Sequence, residues 1–123
     1  MTASARVEIK FILNDLGNRV EADFASNITT TPTVYNQQRR VLATADTAEA
    51  LGLGDVSSSQ LLVIKAVLLN LEVDLDFVTT FNADLTIPAG ETAIIPRPAG
   101  VVYVKNATAT QTPTYEYYLV GTS

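Results

Sequence analysis

Apolar and polar residues alternate with a period of two over several short stretches of this chain. From Arg6 to Leu13, Val7, Ile9, Phe11 and Leu13 fall on one side, and Arg6, Glu8 and Lys10 on the other. Asn14-Asp15-Leu16-Gly17-Asn18 then supplies residues that accept turn geometry. Arg19 to Phe24 alternates again, with Val20, Ala22 and Phe24 on one side. A period of two is that of a half-buried strand, so these segments predict an opening hairpin with its apolar side turned inward. Leu71 to Val78 repeats the pattern, setting Leu71, Val73, Leu75 and Phe77 against Glu72, Asp74 and Asp76.

The C-terminal part reads as strands separated by breakers. Leu85 to Ile87, Thr92 to Ile95, Val101 to Lys105 and Tyr115 to Val120 are β-branched or aromatic runs. Pro88-Ala89-Gly90, Pro96-Arg97-Pro98-Ala99-Gly100 and the Thr-rich loop up to Thr114 punctuate them, because Pro lacks an N–H and Gly tolerates positive φ. Leu61 to Leu71 is continuously apolar and suits a buried strand or a buried helix. The stiff side chains of Val63, Ile64 and Val67 favour a strand over Gln60 to Val67, with a bend near Asn70. Ser26 to Thr33, with Pro32, predicts a loop or an edge, and Arg40 to Thr44 a further strand. Asp46 and Glu49 have the spacing of a capping box, which predicts one short helical turn near 47–51, stopped by Gly52 and Gly54.

Eight or so short strands with turns every eight to twelve residues predict an all-β, antiparallel β-sandwich, jelly-roll-like, with at most that one helical turn. Its 123 residues suit one domain spanning 1–123, with residues 1–5 as a loose tail. Charged residues are sparse, at 17%, against the usual share of about 25%. That low share points to a surface partly covered by a partner. The net charge of −5 argues against a nucleic-acid partner, whose affinity comes from cations meeting phosphates. With no Cys and no His, the chain lacks a thiol nucleophile, a disulfide framework and the commonest general base and zinc ligand. The longest apolar run is broken by Lys65 and Asn70 and falls short of the roughly 20 residues that span a bilayer. No basic-then-apolar leader opens the sequence, so the expectation is a soluble protein made in a cytoplasm.

Few residues carry candidate chemistry. Glu72, Asp74 and Asp76 would share one strand face at spacings of about 7 Å, enough to bracket a glycosidic bond or to hold a calcium ion. The plainer reading is a solvated sheet face. Arg39 and Arg40 form the basic pair that could meet an acidic partner or a phosphate. Tyr103, Tyr115, Tyr117 and Tyr118 cluster towards the C-terminus, and tyrosines on a low-charge surface suit protein or sugar contacts. Period two puts Tyr115 and Tyr117 on one face and Tyr118 on the other, so at least one belongs to the core.

The run from Ala45 to Val120 resembles small structural proteins of tailed bacteriophages. The resemblance rests on the Leu53-Gly54-Asp55 turn before a buried strand, the Leu85 to Glu91 turn, the strand from Val102 to Lys105, and the closing Glu116-Tyr117 strand. It implies a virion β-sandwich protein made in the host bacterial cytoplasm, with no enzymatic activity, no catalytic or metal-binding residues, no cofactor and no small-molecule substrate. The expected role is capsid decoration or cementing, with the major capsid protein and copies of itself as partners, as a homo-oligomer. Arg39, Arg40, Tyr103, Tyr115, Tyr117 and Tyr118 are the candidate interface. A neck or tail component of the same virion is the first alternative, and a carbohydrate-binding module or glycosidase using Glu72, Asp74 and Asp76 the second.

Overall fold

The structure is a computed structural model that describes residues 3–28 and 31–123. The protein is all-β, with no helix among the described residues. The chain divides into two compact units, Met1–Pro32 and Thr33–Ser123.

The first unit is an antiparallel hairpin. Strand β1 (Arg6–Leu13) pairs with β2 (Val20–Asn27) over their full length, from Arg6 opposite Asn27 to Leu13 opposite Val20. The turn contains Asp15 and Gly17 at positive φ, as the polar sequence between the strands requires. Ala5 O accepts a hydrogen bond from Ile28 N and extends the pairing by one step. The two leading residues of the expected tail lie outside the described residues, as do residues 29 and 30 of the expected loop after β2.

The second unit is a β-sandwich of two four-stranded antiparallel sheets. Its strands are β3 (Val34–Val41), β4 (Glu49–Ala50), β5 (Ser58–Leu68), β6 (Leu71–Asp74), β7 (Leu85–Ile87), β8 (Thr92–Ile95), β9 (Tyr103–Asn106) and β10 (Thr114–Thr122). One sheet runs β3-β10-β5-β8 and the other β4-β9-β6-β7. The core lies between them, built from Leu62, Ile64, Tyr115, Tyr117 and Leu119 on one side and Leu71, Val73, Ile87 and Val104 on the other. Each fully buried aliphatic side chain contributes about 1.5–3 kcal/mol by leaving water.

Strand β5 resolves the helix-or-strand ambiguity in favour of a strand. Near its start alternation fails, with Gln60, Leu61 and Leu62 buried in succession. A β-bulge causes this, because the β5–β10 register shifts between Val120 and Gly121. There the backbones approach so closely that a Cβ on Gly121 would run into the Ser58 carbonyl oxygen. The chain leaves β5 through a bend at Leu69 and Asn70 and enters the other sheet. The Asn70 side chain holds this corner by accepting from Ala89 N at 2.9 Å.

Three local expectations are corrected. The segment near 47–51 is not a helical turn. Asp46 is bound instead to Asn106, its N–H donating to Asn106 Oδ1 at 2.7 Å and its Oδ1 accepting from Asn106 Nδ2 at 2.9 Å. Glu49 accepts from the Tyr115 hydroxyl, so neither member of the capping box is free to cap, and Glu49–Ala50 pairs with β9. The strand expected over Arg40–Thr44 is instead Val34–Val41, because Asn36, Gln38 and Arg40 find polar surroundings on its inner face. The strand expected over Leu71–Val78 stops at Asp74, whose carboxylate turns the chain by accepting from Asp76 N and Asn82 N.

Gly121→Ala is expected to destabilise the sandwich by about 1–3 kcal/mol, the usual cost of forcing a methyl into packed backbone. Urea unfolding monitored by circular dichroism checks this, and an unchanged midpoint would contradict the close approach at the bulge.

Candidate functional site

Strand alternation separates the residues that sequence proximity had grouped. Tyr115 and Tyr117 are fully buried, at 0% exposure, and are therefore core residues, not surface anchors. Their rings stack in parallel, with centroids 6.1 Å apart. The Tyr115 hydroxyl donates to Glu49 Oε2 at 2.6 Å and the Tyr117 hydroxyl to Gly52 O at 2.7 Å. Gly52 O also accepts from Asn36 Nδ2 at 2.8 Å. A Cβ at residue 52 would press on the Tyr117 hydroxyl at 3.1 Å, so glycine suits this crowded position. Burial pushes the Tyr115 phenol well above its ordinary value, and the Glu49 carboxylate adds to the shift. Tyr117 is raised as well, chiefly by burial, with the nearby Arg40 opposing.

Arg39 and Arg40 point to opposite faces of β3. Arg40 lies half-buried beside the Gly52 turn. Arg39 is on the outer face, 3.7 Å from Glu116 Oε2. Tyr118 shares that outer face and is 48% exposed. Tyr103 is half-buried in the other sheet and stacked on Phe77, with ring centroids 3.7 Å apart. Of the six predicted interface residues, the fold therefore brings Arg39 and Tyr118 together on one exposed surface. Tyr35 and Val41, at 72% and 57% exposure, join them there.

The acidic group is also rearranged. Asp74 is buried at 1% exposure and Asp76 lies beyond the end of β6, so Glu72, Asp74 and Asp76 do not form one strand face. The carboxylates that do meet are Asp74, Asp76 and Asp84, with oxygens within 4.8 Å of one another. Among the described residues this is the one grouping that could hold a metal ion. Backbone donors already occupy much of it. Asp74 accepts from Asp76 N and Asn82 N, and Asp84 Oδ2 accepts from Leu75 N at 2.7 Å. The Asn82 N–H is the main cause that holds Asp74 below its ordinary value. Asp76 is raised, first by its hydrogen bonding with Asp74 and then by the charge of Asp84.

The surface that sequence reasoning missed is on the hairpin. Its register assembles the apolar side as expected, with Ile9 opposite Phe24, Phe11 opposite Ala22 and Leu13 opposite Val20. That side is not inward. Ile9, Phe11, Val20 and Phe24 remain 43%, 48%, 46% and 60% exposed. The sequence signal was the same alternation, which groups Ile9, Phe11, Val20 and Phe24 on one side without fixing whether that side is inward.

No protein-family model, no curated protein and no solved structure matches this chain.

Two measurements check these assignments. A phenol whose value is raised on folding keeps its proton while the unfolded phenol loses it, so stability falls as pH rises above about 10. Tyr115→Phe is expected to cost about 1–3 kcal/mol at neutral pH by stranding Glu49, and to flatten the alkaline loss. An equally steep alkaline loss in the variant would contradict the assignment. For Asp76 the raised value means that stability is intact below the unfolded value and is lost as pH rises through the folded one. Asp76→Asn should therefore raise the urea midpoint at pH 7 and have no effect at pH 3. A lower midpoint at pH 7 would show that the ionised group is stabilising.

Proposed function

We propose that this chain is a non-enzymatic virion protein of a tailed bacteriophage, a decoration or cement protein that binds the head shell in many copies and associates with itself. The observation that carries the reading is the open apolar side of the hairpin. A two-stranded hairpin is marginally stable alone in water, and one that leaves two phenylalanines half-exposed gains by being covered. A chain that carries such a hairpin is suited to docking on a larger body. The resemblance of Ala45 to Val120 to phage structural proteins supplies the class of that body, and the sparse charge agrees with a surface meant to be covered. Multiplicity on a symmetric shell would give avidity to contacts that are individually weak.

The test is re-addition of purified protein to particles that lack it. Phe11→Ser combined with Phe24→Ser should lower shell occupancy about tenfold or more, as expected for loss of aromatic anchors. The unfolding midpoint of the sandwich should not move. Undiminished binding by the double variant would remove the hairpin from the interface and this reading with it.

A further inference from the structure

The sandwich has four sheet edges: β3, β8, β4 and β7. Three are short, at four, two and three residues, which is one way proteins blunt an edge. Strand β3 is different. It runs for eight residues, VYNQQRRV, with unbroken in–out alternation and no register shift against β10. It carries no Pro, Gly or Lys. Leu42 N donates to Pro113 O at 2.9 Å, one step beyond Val41 opposite Thr114. Ladder bonds alternate along an antiparallel strand, so Asn36, Gln38 and Arg40 bond towards β10. The N–H and C=O groups of Tyr35, Gln37, Arg39 and Val41 then point to the free edge. The same four residues carry exposed side chains on the outer face.

We infer that β3 is a self-pairing edge, and that its occupant is β3 of a second copy, laid antiparallel across a two-fold axis at Gln38. The sequence of the edge selects this register. Only bonding of odd-numbered residue to odd-numbered residue satisfies the free groups, and the two-fold must pass through a residue. With the axis at Gln38, all four edge residues find partners: Tyr35 opposite Val41 of the other copy and Gln37 opposite Arg39. Each pair occurs twice. An axis at Gln37 would leave Val41 unpaired within the strand, and an axis at Arg39 would set two arginines against each other. On the inner face the chosen axis puts Asn36 opposite Arg40. The apolar match joins Tyr35 and Val41, at 72% and 57% exposure, which the single copy leaves open to water. The result is one continuous eight-stranded sheet across two sandwiches. This deepens the self-association within the reading above, but it rests on the sandwich alone and does not require shell binding.

Sedimentation of the full-length protein, together with charge and cysteine variants, tests it. The wild type should be a dimer. Gln37→Glu places a carboxylate opposite Arg39 twice per dimer and should tighten association about tenfold, whereas Gln37→Lys should weaken it about tenfold. All these positions are exposed, so the urea midpoint of the single copy should stay unchanged. The chain has no cysteine of its own. Under oxidation Tyr35→Cys and Val41→Cys should each fail to cross-link alone and should form disulfide-linked dimers when mixed, since Cα atoms of bonded pairs lie about 5.5 Å apart. A monomer, an oligomer indifferent to the charge at residue 37, or cross-linking of either cysteine variant with itself would overturn the pairing. A strictly monomeric protein that still coats shells would overturn the pairing and leave decoration standing. A β3-paired dimer that never joins particles would do the reverse.

Discussion

Strand β10 is the constraint on which the rest of the sandwich depends. It lies between β3 and β5, so it carries the hydrogen bonding of both neighbours in its sheet. It also ties the two sheets together, because the Tyr115 hydroxyl reaches Glu49 in β4 and the Tyr117 hydroxyl reaches the Gly52 carbonyl just beyond it. A buried phenol hydroxyl left without a partner would cost about 1–3 kcal/mol. The β4 segment must therefore sit where these oxygens can be met. That requirement explains why Glu49 is drawn into a strand and why residue 52 has no side chain.

Much of the fold was legible, and the failures share a cause. Alternation located β1 and β2, and runs of β-branched and aromatic residues between breakers located β5 and β10. These signals failed where side chains, not periodicity, decide the backbone. Asp46 and Glu49 looked like a helix cap but are engaged by Asn106 and Tyr115, partners about sixty residues away in sequence. The strand expected from Arg40 begins six residues earlier, at Val34, because the turn at Gly52 gives Asn36, Gln38 and Arg40 polar company on the inner face. Asp74 looked like one rung of an acidic ladder, but it folds the chain back by collecting two N–H groups. For the candidate site, period two correctly split Tyr118 from Tyr115 and Tyr117. It could not say which side was the core, because both sides of β10 carry large residues.

The functional argument moves from isolated residues to surfaces. The tyrosines and carboxylates that looked like chemistry serve mainly to hold the fold. What remains open is structural: an apolar hairpin side and one long unpaired edge. These differ in kind. The hairpin offers area without directional bonds, which suits a shell of many equivalent docking places. The edge offers eight residues of main chain whose side chains complement themselves, which suits a two-fold partner. In the proposed decoration role, the hairpin would hold the shell and the edge would link neighbours across it.

The most direct test of this account is the copy number of the chain in purified native particles, measured by quantitative mass spectrometry against the major shell protein. Decoration predicts an abundance comparable to that of the shell protein. A dozen copies or fewer would place the chain at the neck or tail, and complete absence from particles would contradict a virion role altogether.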